Sequence, residues 1–138
     1  MKKIFSLNSI LILLALSSCD YYYGYDLSIT NATESDLLVK AFRINENDEY
    51  DTFFDEFIAP NNTLQFDILQ RGGNCAKDCP VAPLDQDYFT EDWSLDSIVV
   101  IKDGVSISDY INKISHWEFR SENQLGIYEI TLFDADFE

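Results

Sequence analysis

Apolar and polar residues alternate with a period of two over much of this chain. Tyr25, Leu27 and Ile29 are separated by polar residues, and the same spacing recurs from Leu64 to Ile68. A half-buried strand has this pattern because successive side chains point to opposite faces of a sheet. The sequence predicts eight strands, at residues 25–30, 37–44, 53–58, 64–68, 95–102, 105–107, 117–120 and 128–132. Two of them depart from strict alternation, because 37–44 is more apolar throughout and 95–102 contains a β-branched run suited to a central strand.

Turn-forming residues separate the predicted strands. Polar residues fill the interval from Asn31 to Asp36, Pro60-Asn61-Asn62 follows the third strand, and Asp103-Gly104 is a strong two-residue hairpin signal. No segment has convincing helical periodicity. We therefore expect an all-β fold, an antiparallel β-sandwich of about eight strands that is immunoglobulin- or transthyretin-like in general shape. A small closed barrel is the alternative.

The first twenty residues follow a different pattern. Lys2 and Lys3 precede an apolar run from Ile10 to Leu16, and Ser17 and Ser18 then lead to Cys19. Charged, apolar and small residues in this order are typical of a secretory signal peptide, and the apolar run is shorter than the roughly 20 residues that span a membrane. The sequence thus predicts a signal peptide at 1–18, a tether at 19–24 and a single domain at 25–138. An ordinary exported protein with a spare thiol is the alternative.

The Leu16-Ser-Ser-Cys19 ending resembles the lipobox of bacterial lipoproteins. This resemblance implies that the chain is cleaved just before Cys19 and that the Cys19 thiol is acylated with diacylglycerol. Palmitate is among the acyl chains that the resemblance implies. Asp20 also resembles an inner-membrane retention signal, but sorting rules differ among lineages, so inner and outer membrane both stay open. We expect an exported, membrane-anchored protein of a Gram-negative cell envelope.

The mature region loosely resembles small uncharacterised β-sandwich lipoproteins of Gram-negative bacteria. The resemblance rests on a few positions, Asp103-Gly104 after a β-branched strand, Trp117, the closing segment from Tyr128 to Thr131, Asp134 and Asp136. It implies a type of fold rather than an activity.

The chain is strongly acidic. Its formal charge is −16, and removal of residues 1–18 leaves 120 residues with a charge of −18, because Lys2 and Lys3 are lost with that segment. Proteins bind nucleic acids by neutralising phosphates with Lys and Arg, so nucleic acid is excluded as a partner. Anionic lipid is disfavoured for the same reason, which leaves acyl chains as the membrane link. The charge favours a cationic envelope protein as partner or serves solubility alone.

Cys75 and Cys79 are the other two cysteines. Outside the cytoplasm a close pair of this kind predicts a disulfide, whereas a zinc site needs about four ligands. The pair lies in the longest predicted loop, from Arg71 to Trp93, which contains Gly72-Gly73 and two prolines. We expect this loop to be braced by the disulfide.

The sequence predicts no enzyme, metal site or cofactor. His116 is the only histidine, and no Gly-x-Ser-x-Gly turn accompanies it. Two acidic clusters have oxygen ligands of the kind that calcium takes, but both lack the central glycine of an EF-hand. They comprise Asn45, Asn47, Glu49 and Asp51, and Asp85, Asp87, Glu91 and Asp92.

The long loop is also the predicted partner-binding site. Large aromatic residues set among acids are typical contact anchors, here Tyr88, Phe89 and Trp93 with Asp85, Asp87, Glu91 and Asp92. The alternative is that these rings cover an open end of the sandwich. The composition therefore favours a non-enzymatic binding or structural module, and the alternative is an acidic inhibitor or immunity protein against a cationic toxin or lysozyme-like enzyme.

Overall fold

The computed structural model describes residues 21–44, 49–73, 81–85, 87 and 95–138. This part of the chain contains eight strands, as predicted. They are β1 (Tyr21–Asn31), β2 (Leu37–Ile44), β3 (Tyr50–Ile58), β4 (Thr63–Gly73), β5 (Ser97–Lys102), β6 (Val105–Ile107), β7 (Glu118–Glu122) and β8 (Leu125–Leu132). Its helices are two short 3-10 turns, Ile114–His116 and Asp134–Phe137, and no helix of the described residues is long and apolar enough to cross a membrane.

The strands form two four-stranded sheets, in the orders β4-β1-β8-β7 and β3-β2-β5-β6. This confirms the predicted all-β sandwich. One strand pair departs from the antiparallel pattern, because β1 runs parallel to β8, from Gly24 beside Leu125 to Asn31 beside Leu132. A parallel pair needs a long crossover, and here the six intervening strands supply it.

Several predicted boundaries were wrong. β3 begins at Tyr50 rather than Phe53 and β8 at Leu125 rather than Tyr128, and the largest differences concern β1 and β4. β1 begins at Tyr21 rather than Tyr25, and β4 continues through Gly72 and Gly73, which had been assigned to the long loop. The reason is that the two extensions pair with each other, Tyr21 opposite Gly73. Glycine weakens a strand because it has no side chain to pack. β4 is an edge strand with β1 as its one neighbour, so the loss affects a single strand pair.

The core lies between the inner faces of the two sheets. Leu27 and Ile29 on β1 face Val39 on β2, and all three side chains have no exposed surface. The inward set follows the period-two pattern of the sequence, and its other strand members include Leu37, Ala41, Ile98, Val100, Tyr128, Ile130 and Leu132. Burial of these side chains stabilises the fold by about 1.5–3 kcal/mol for each larger one.

Trp117 and Phe119 lie toward the core, as predicted. Trp117 is 6% exposed, and its indole Nε1–H donates to the Ile111 carbonyl oxygen at 2.8 Å. The Asp103–Gly104 hairpin is also present, with the positive φ angles at both residues that such a turn requires.

The direction of the strands defines two ends of the sandwich. The N-terminal end, where β1 starts, also holds the last residue of β4 and the turn between β7 and β8. The opposite end holds the turns that follow β1, β3 and β5, together with the C-terminal 3-10 turn.

Candidate functional site

The outer face of the β4-β1-β8-β7 sheet is almost entirely polar. Strand alternation that places the core residues inward places their neighbours on this side. We call this surface the polar face, and its members are Thr63, Gln65, Asp67, Asp26, Ser28, Thr30, Glu129, Thr131, Glu118, Arg120 and Glu122. Ile127, which is 3% exposed, and Leu125 are its apolar members on β8.

The strand register arranges these side chains in rows across the sheet. One row contains Thr63, Thr30 and Thr131. The hydroxyl groups of Thr30 and Thr63 form a hydrogen bond, with 2.8 Å between their oxygens. The next row sets Glu118 directly opposite Glu129 on neighbouring strands. Two like charges in cross-strand positions destabilise a sheet unless a cation lies between them.

Among the side chains of this sheet that the structure describes, Arg120 is the only cationic member of the polar face. Its Nε donates to Glu129 Oε2 at 3.0 Å, and its Nη1 donates to Glu122 Oε2. Both carboxylates raise the pKa of Arg120. Glu118 receives no such contact, and its carboxylate has no partner among the described residues. The five acids against one base leave this face with a formal charge of −4 when all are ionised, since Asp26 and Asp67 complete the set.

Asp26 is buried although it faces outward, with only 6% of its surface exposed. The Gln65 side chain donates its Nε2–H to Asp26 Oδ2 at 2.7 Å, and Asp67 lies directly across on β4. Burial raises the pKa of Asp26, the Gln65 hydrogen bond opposes this shift, and the nearby Asp67 carboxyl adds to it. The central strand therefore carries a carboxyl group that holds its proton to higher pH than an exposed aspartate.

A cleft of about 490 Å³ opens at the side of the polar face nearer the opposite end of the sandwich. Its walls combine aromatic rings, carboxylates and hydroxyl groups, from Thr30, Tyr110, His116, Glu118, Glu129, Ile130, Thr131 and Phe133. Phe133 and Tyr110 are 55% and 39% exposed, so apolar ring surface is available to a ligand. We call this site the cleft.

His116 and Tyr110 form one wall of the cleft as a stacked pair. Their ring centroids are 4.2 Å apart with an interplanar angle of 24°. His116 Nδ1 lies 2.8 Å from the Tyr110 carbonyl oxygen. Because a carbonyl only accepts, Nδ1 must carry the proton, which leaves Nε2 as the acceptor in the neutral ring.

The segment that carries this wall is fixed to the core by side-chain hydrogen bonds. Asn112 pairs with the backbone of β5, accepting from the Ile98 N–H and donating to the Ile98 carbonyl, both at 2.8 Å. Asn112 also donates to the Ser108 carbonyl. With Ile111 fully buried beneath it, the aromatic wall is held in place before any ligand arrives.

The structure reaches only part of the predicted binding loop. The predicted residues Cys19, Cys75, Cys79, Tyr88, Phe89, Glu91, Asp92 and Trp93 lie outside the described residues. Asp85 and Asp87 are described, and both are exposed. The Asp87 carbonyl accepts from the Ile114 N–H at 3.0 Å, so the backbone of the loop contacts the 3-10 turn that ends at His116.

Residues 81–84, in the middle of that loop, pack against the sandwich. Val81 is 8% exposed and Leu84 packs against the core. Their backbone is fixed by two tyrosine hydroxyls, since Tyr25 Oη donates to the Ala82 carbonyl at 2.9 Å and the Leu84 N–H donates to Tyr128 Oη at 2.7 Å. Val81 and Leu84 thus cover part of the core. The alternative role for this loop concerns the rings of Tyr88, Phe89 and Trp93, which lie outside the described residues.

The cleft was not predicted from the sequence. The available signal was the spacing of Tyr110 and His116 on either side of buried Ile111 and Ile114, which places both rings outside the core. Among the described residues, no group of three or more His, Cys, Asp or Glu side chains is placed to hold a metal ion. Comparison of the chain with protein-family models, with curated proteins and with solved structures gives no match.

Proposed function

We propose that this chain is a lipid-anchored, non-enzymatic binding protein of a Gram-negative cell envelope, and that its partner is a cationic protein that contacts the polar face. The anchor part of the proposal is supported by the signal-like segment that ends at Cys19. The partner part is supported by the charge of the chain and by the five acidic residues and one arginine on the polar face.

The observation that carries the proposal is the pair of facing glutamates. Glu118 and Glu129 repel each other across the β7–β8 ladder, and of these two only Glu129 is paired with Arg120. A cationic group from a partner would remove this repulsion and also form an ion pair. The complex would therefore be stabilised by more than a single surface ion pair. Complementary charge also accelerates association and makes it sensitive to salt.

An anchor at Cys19 would fix the orientation of the domain. β1 begins at Tyr21, so Asp20 alone separates the anchor from the sandwich. Thr30, at the cleft, is nine residues further along the strand, which corresponds to about 30 Å at about 3.3 Å per residue. The cleft would therefore lie at the end of the domain that is away from the lipid surface. A partner can approach that end freely.

A second candidate function is inhibition of a cationic enzyme, such as a toxin or a lysozyme-like enzyme. The cleft favours it, because one side chain of an enzyme can enter a site with carboxylates and aromatic rings. Such an inhibitor would associate rapidly at low salt.

The anchor is tested by replacing Cys19. Cys19→Ser should release the protein from membranes, and mass spectrometry of the native protein should find an acylated N-terminus at Cys19. An unmodified N-terminus on the mature protein would contradict the lipoprotein assignment.

The partner is tested by charge reversal on one side of the sandwich. Immobilised protein should capture basic envelope proteins at about 20 mM salt and release them at about 300 mM, where charge interactions are screened over a few ångströms. Glu118→Lys should abolish capture. Glu56→Lys, an exposed glutamate on the edge strand of the other sheet, is the matched control and should retain it. Equal capture by both variants would refute the assignment of the polar face. Lysozyme activity measured in the same samples tests the inhibitor function.

A further inference from the structure

We infer that the cleft is a binding site for the guanidinium group of an arginine side chain presented by the partner protein. This inference rests on the proposed function and deepens it, because it names the group that the polar face recognises.

The carboxylates of the cleft supply the charge. Glu118 and Glu129 lie directly opposite each other, and Cβ atoms in such cross-strand pairs are about 4.5–5.5 Å apart. Glu118 is unpaired among the described residues, and Glu129 uses Oε2 for Arg120, which leaves its second oxygen available. A planar group with several N–H donors can bridge two carboxylates at this separation. Arg120 already forms this kind of contact on the same face.

The rings of the cleft select a flat cation. Tyr110 and Phe133 line it with partly exposed aromatic surface, and His116 stiffens the Tyr110 wall by stacking. A guanidinium stacks on aromatic faces and is weakly hydrated, whereas an ammonium is compact and strongly hydrated. The combination of ring surface and paired carboxylates therefore favours arginine over lysine.

The hydroxyls and the size of the cleft fit the same ligand. Thr30 and Thr131 lie beside each other on β1 and β8, and their hydroxyls can bond a ligand backbone. The volume of about 490 Å³ is within the range of about 300–1,000 Å³ typical of small-ligand sites. An extended arginine with its flanking peptide can enter such a site. An anionic side chain cannot, because it would meet Glu118 and Glu129.

The test uses three short peptides that differ only at one position, acetyl-Gly-Arg-Gly-amide and its lysine and citrulline counterparts. Citrulline has nearly the shape of arginine without its charge. In a titration followed by two-dimensional NMR, the arginine peptide should shift the backbone amides of Thr30, Thr131 and His116. The lysine peptide should bind at least about threefold more weakly, and the citrulline peptide should cause no saturable shift.

Variants separate the carboxylate from the ring contribution. Glu118→Gln should weaken arginine-peptide binding at least about fivefold, and Phe133→Ala should weaken it at least about threefold. Glu56→Gln, outside the cleft, should leave binding unchanged. Both cleft positions are exposed, so the dispersion of the NMR spectrum reports directly whether each variant is folded.

Equal binding of the arginine and citrulline peptides would overturn the inference, and so would equal binding of arginine and lysine. This failure differs from failure of the proposed function. If Glu118→Lys still abolishes capture of basic envelope proteins while the arginine peptide fails to bind, the polar face stands and the cleft assignment is wrong. If capture also persists, both are wrong.

Discussion

Asn31 is the polar side chain on which the end of β1 most depends. It has no exposed surface, and its amide makes four hydrogen bonds. Nδ2 donates to the carbonyls of Ser35 and Ile58 at 2.9 and 2.8 Å, and Oδ1 accepts from the Thr33 N–H and hydroxyl at 2.9 and 2.8 Å. These contacts join the turn after β1 to the last residue of β3, and thus one sheet to the other.

Asn31→Ala should lower the free energy of unfolding by about 3–5 kcal/mol. The net loss for a single hydrogen bond is about 1 kcal/mol, and it rises to about 1–3 kcal/mol for a buried backbone group that loses its partner. The Ile58 carbonyl and the Thr33 N–H are the two backbone groups that lose Asn31 in a buried position, and they account for most of the expected change. The Ser35 carbonyl loses less, because the single proton of the Thr33 hydroxyl, which Asn31 Oδ1 and this carbonyl share, can then go entirely to the carbonyl at 2.8 Å. A loss of this size is a large fraction of the 5–15 kcal/mol typical of a domain.

Urea unfolding followed by far-ultraviolet circular dichroism gives the measurement. Ser35→Ala is the matched control, because it keeps the backbone carbonyl that Asn31 contacts, and it should change stability by less than about 0.5 kcal/mol. Asn31→Asp provides a second arm, since it sets a carboxylate oxygen against two carbonyls and should be as damaging as alanine at neutral pH but less so in acid. If Asn31→Ala loses no more than the Ser35 control, the hydrogen-bond account of this turn is wrong.

Three further substitutions test the packing and the buried charge. Trp117→Ala should lower stability by about 3–5 kcal/mol in urea unfolding, because a buried ring and its hydrogen bond to Ile111 are both lost. Gly126→Ala should lower it by about 1–3 kcal/mol, since the added Cβ would lie 2.6–2.9 Å from aromatic carbons, and an unchanged melting temperature would contradict this. Asp26→Asn should stabilise the protein at pH 7, because the native pKa of Asp26 is raised and stability falls as the pH rises from 3.8 through that pKa. The gain should vanish below pH 3.8, and a gain that persists there would show that the charge of Asp26 is not its cause.

The strands were predictable from the sequence because burial on one face imposes period two. Leu27 and Ile29 are fully buried while Thr30 lies on the outer face, as their spacing indicates. The hairpin at Asp103-Gly104 was equally predictable, since few residues adopt two positive φ angles in succession.

Features that depend on a distant partner were not predictable. Gly72 and Gly73 argue locally against a strand, yet they pair with β1. The turn between β7 and β8 has positive φ angles at Asn123 and Gln124. Gln124 occupies the second position, where a glycine would have indicated the turn in the sequence. The parallel pairing of the first and last strands depends on the whole fold, so no local pattern reports it.

The cleft belongs to the same class of feature. Glu118 and Glu129 are eleven positions apart in sequence and become neighbours only through the β7–β8 register. The aromatic wall depends on Asn112, an unremarkable loop residue whose amide takes the place of a strand beside Ile98. Composition indicated a cationic partner, but only the register shows where the charges converge.

The two outer faces of the sandwich differ in a way that narrows the choice of partner. The face of the β3-β2-β5-β6 sheet carries Phe57, which is 70% exposed, and its Lys40 is paired with Asp55 at 3.0 Å. Charge there is locally balanced, whereas the polar face has five acids and one base. If the net charge served solubility alone, the acidic residues would be spread over the outer faces of both sheets. The carboxylate of Glu118, unpaired among the described residues and directly opposite Glu129 in the cleft, is therefore the structural reason to look for a cationic partner on that side.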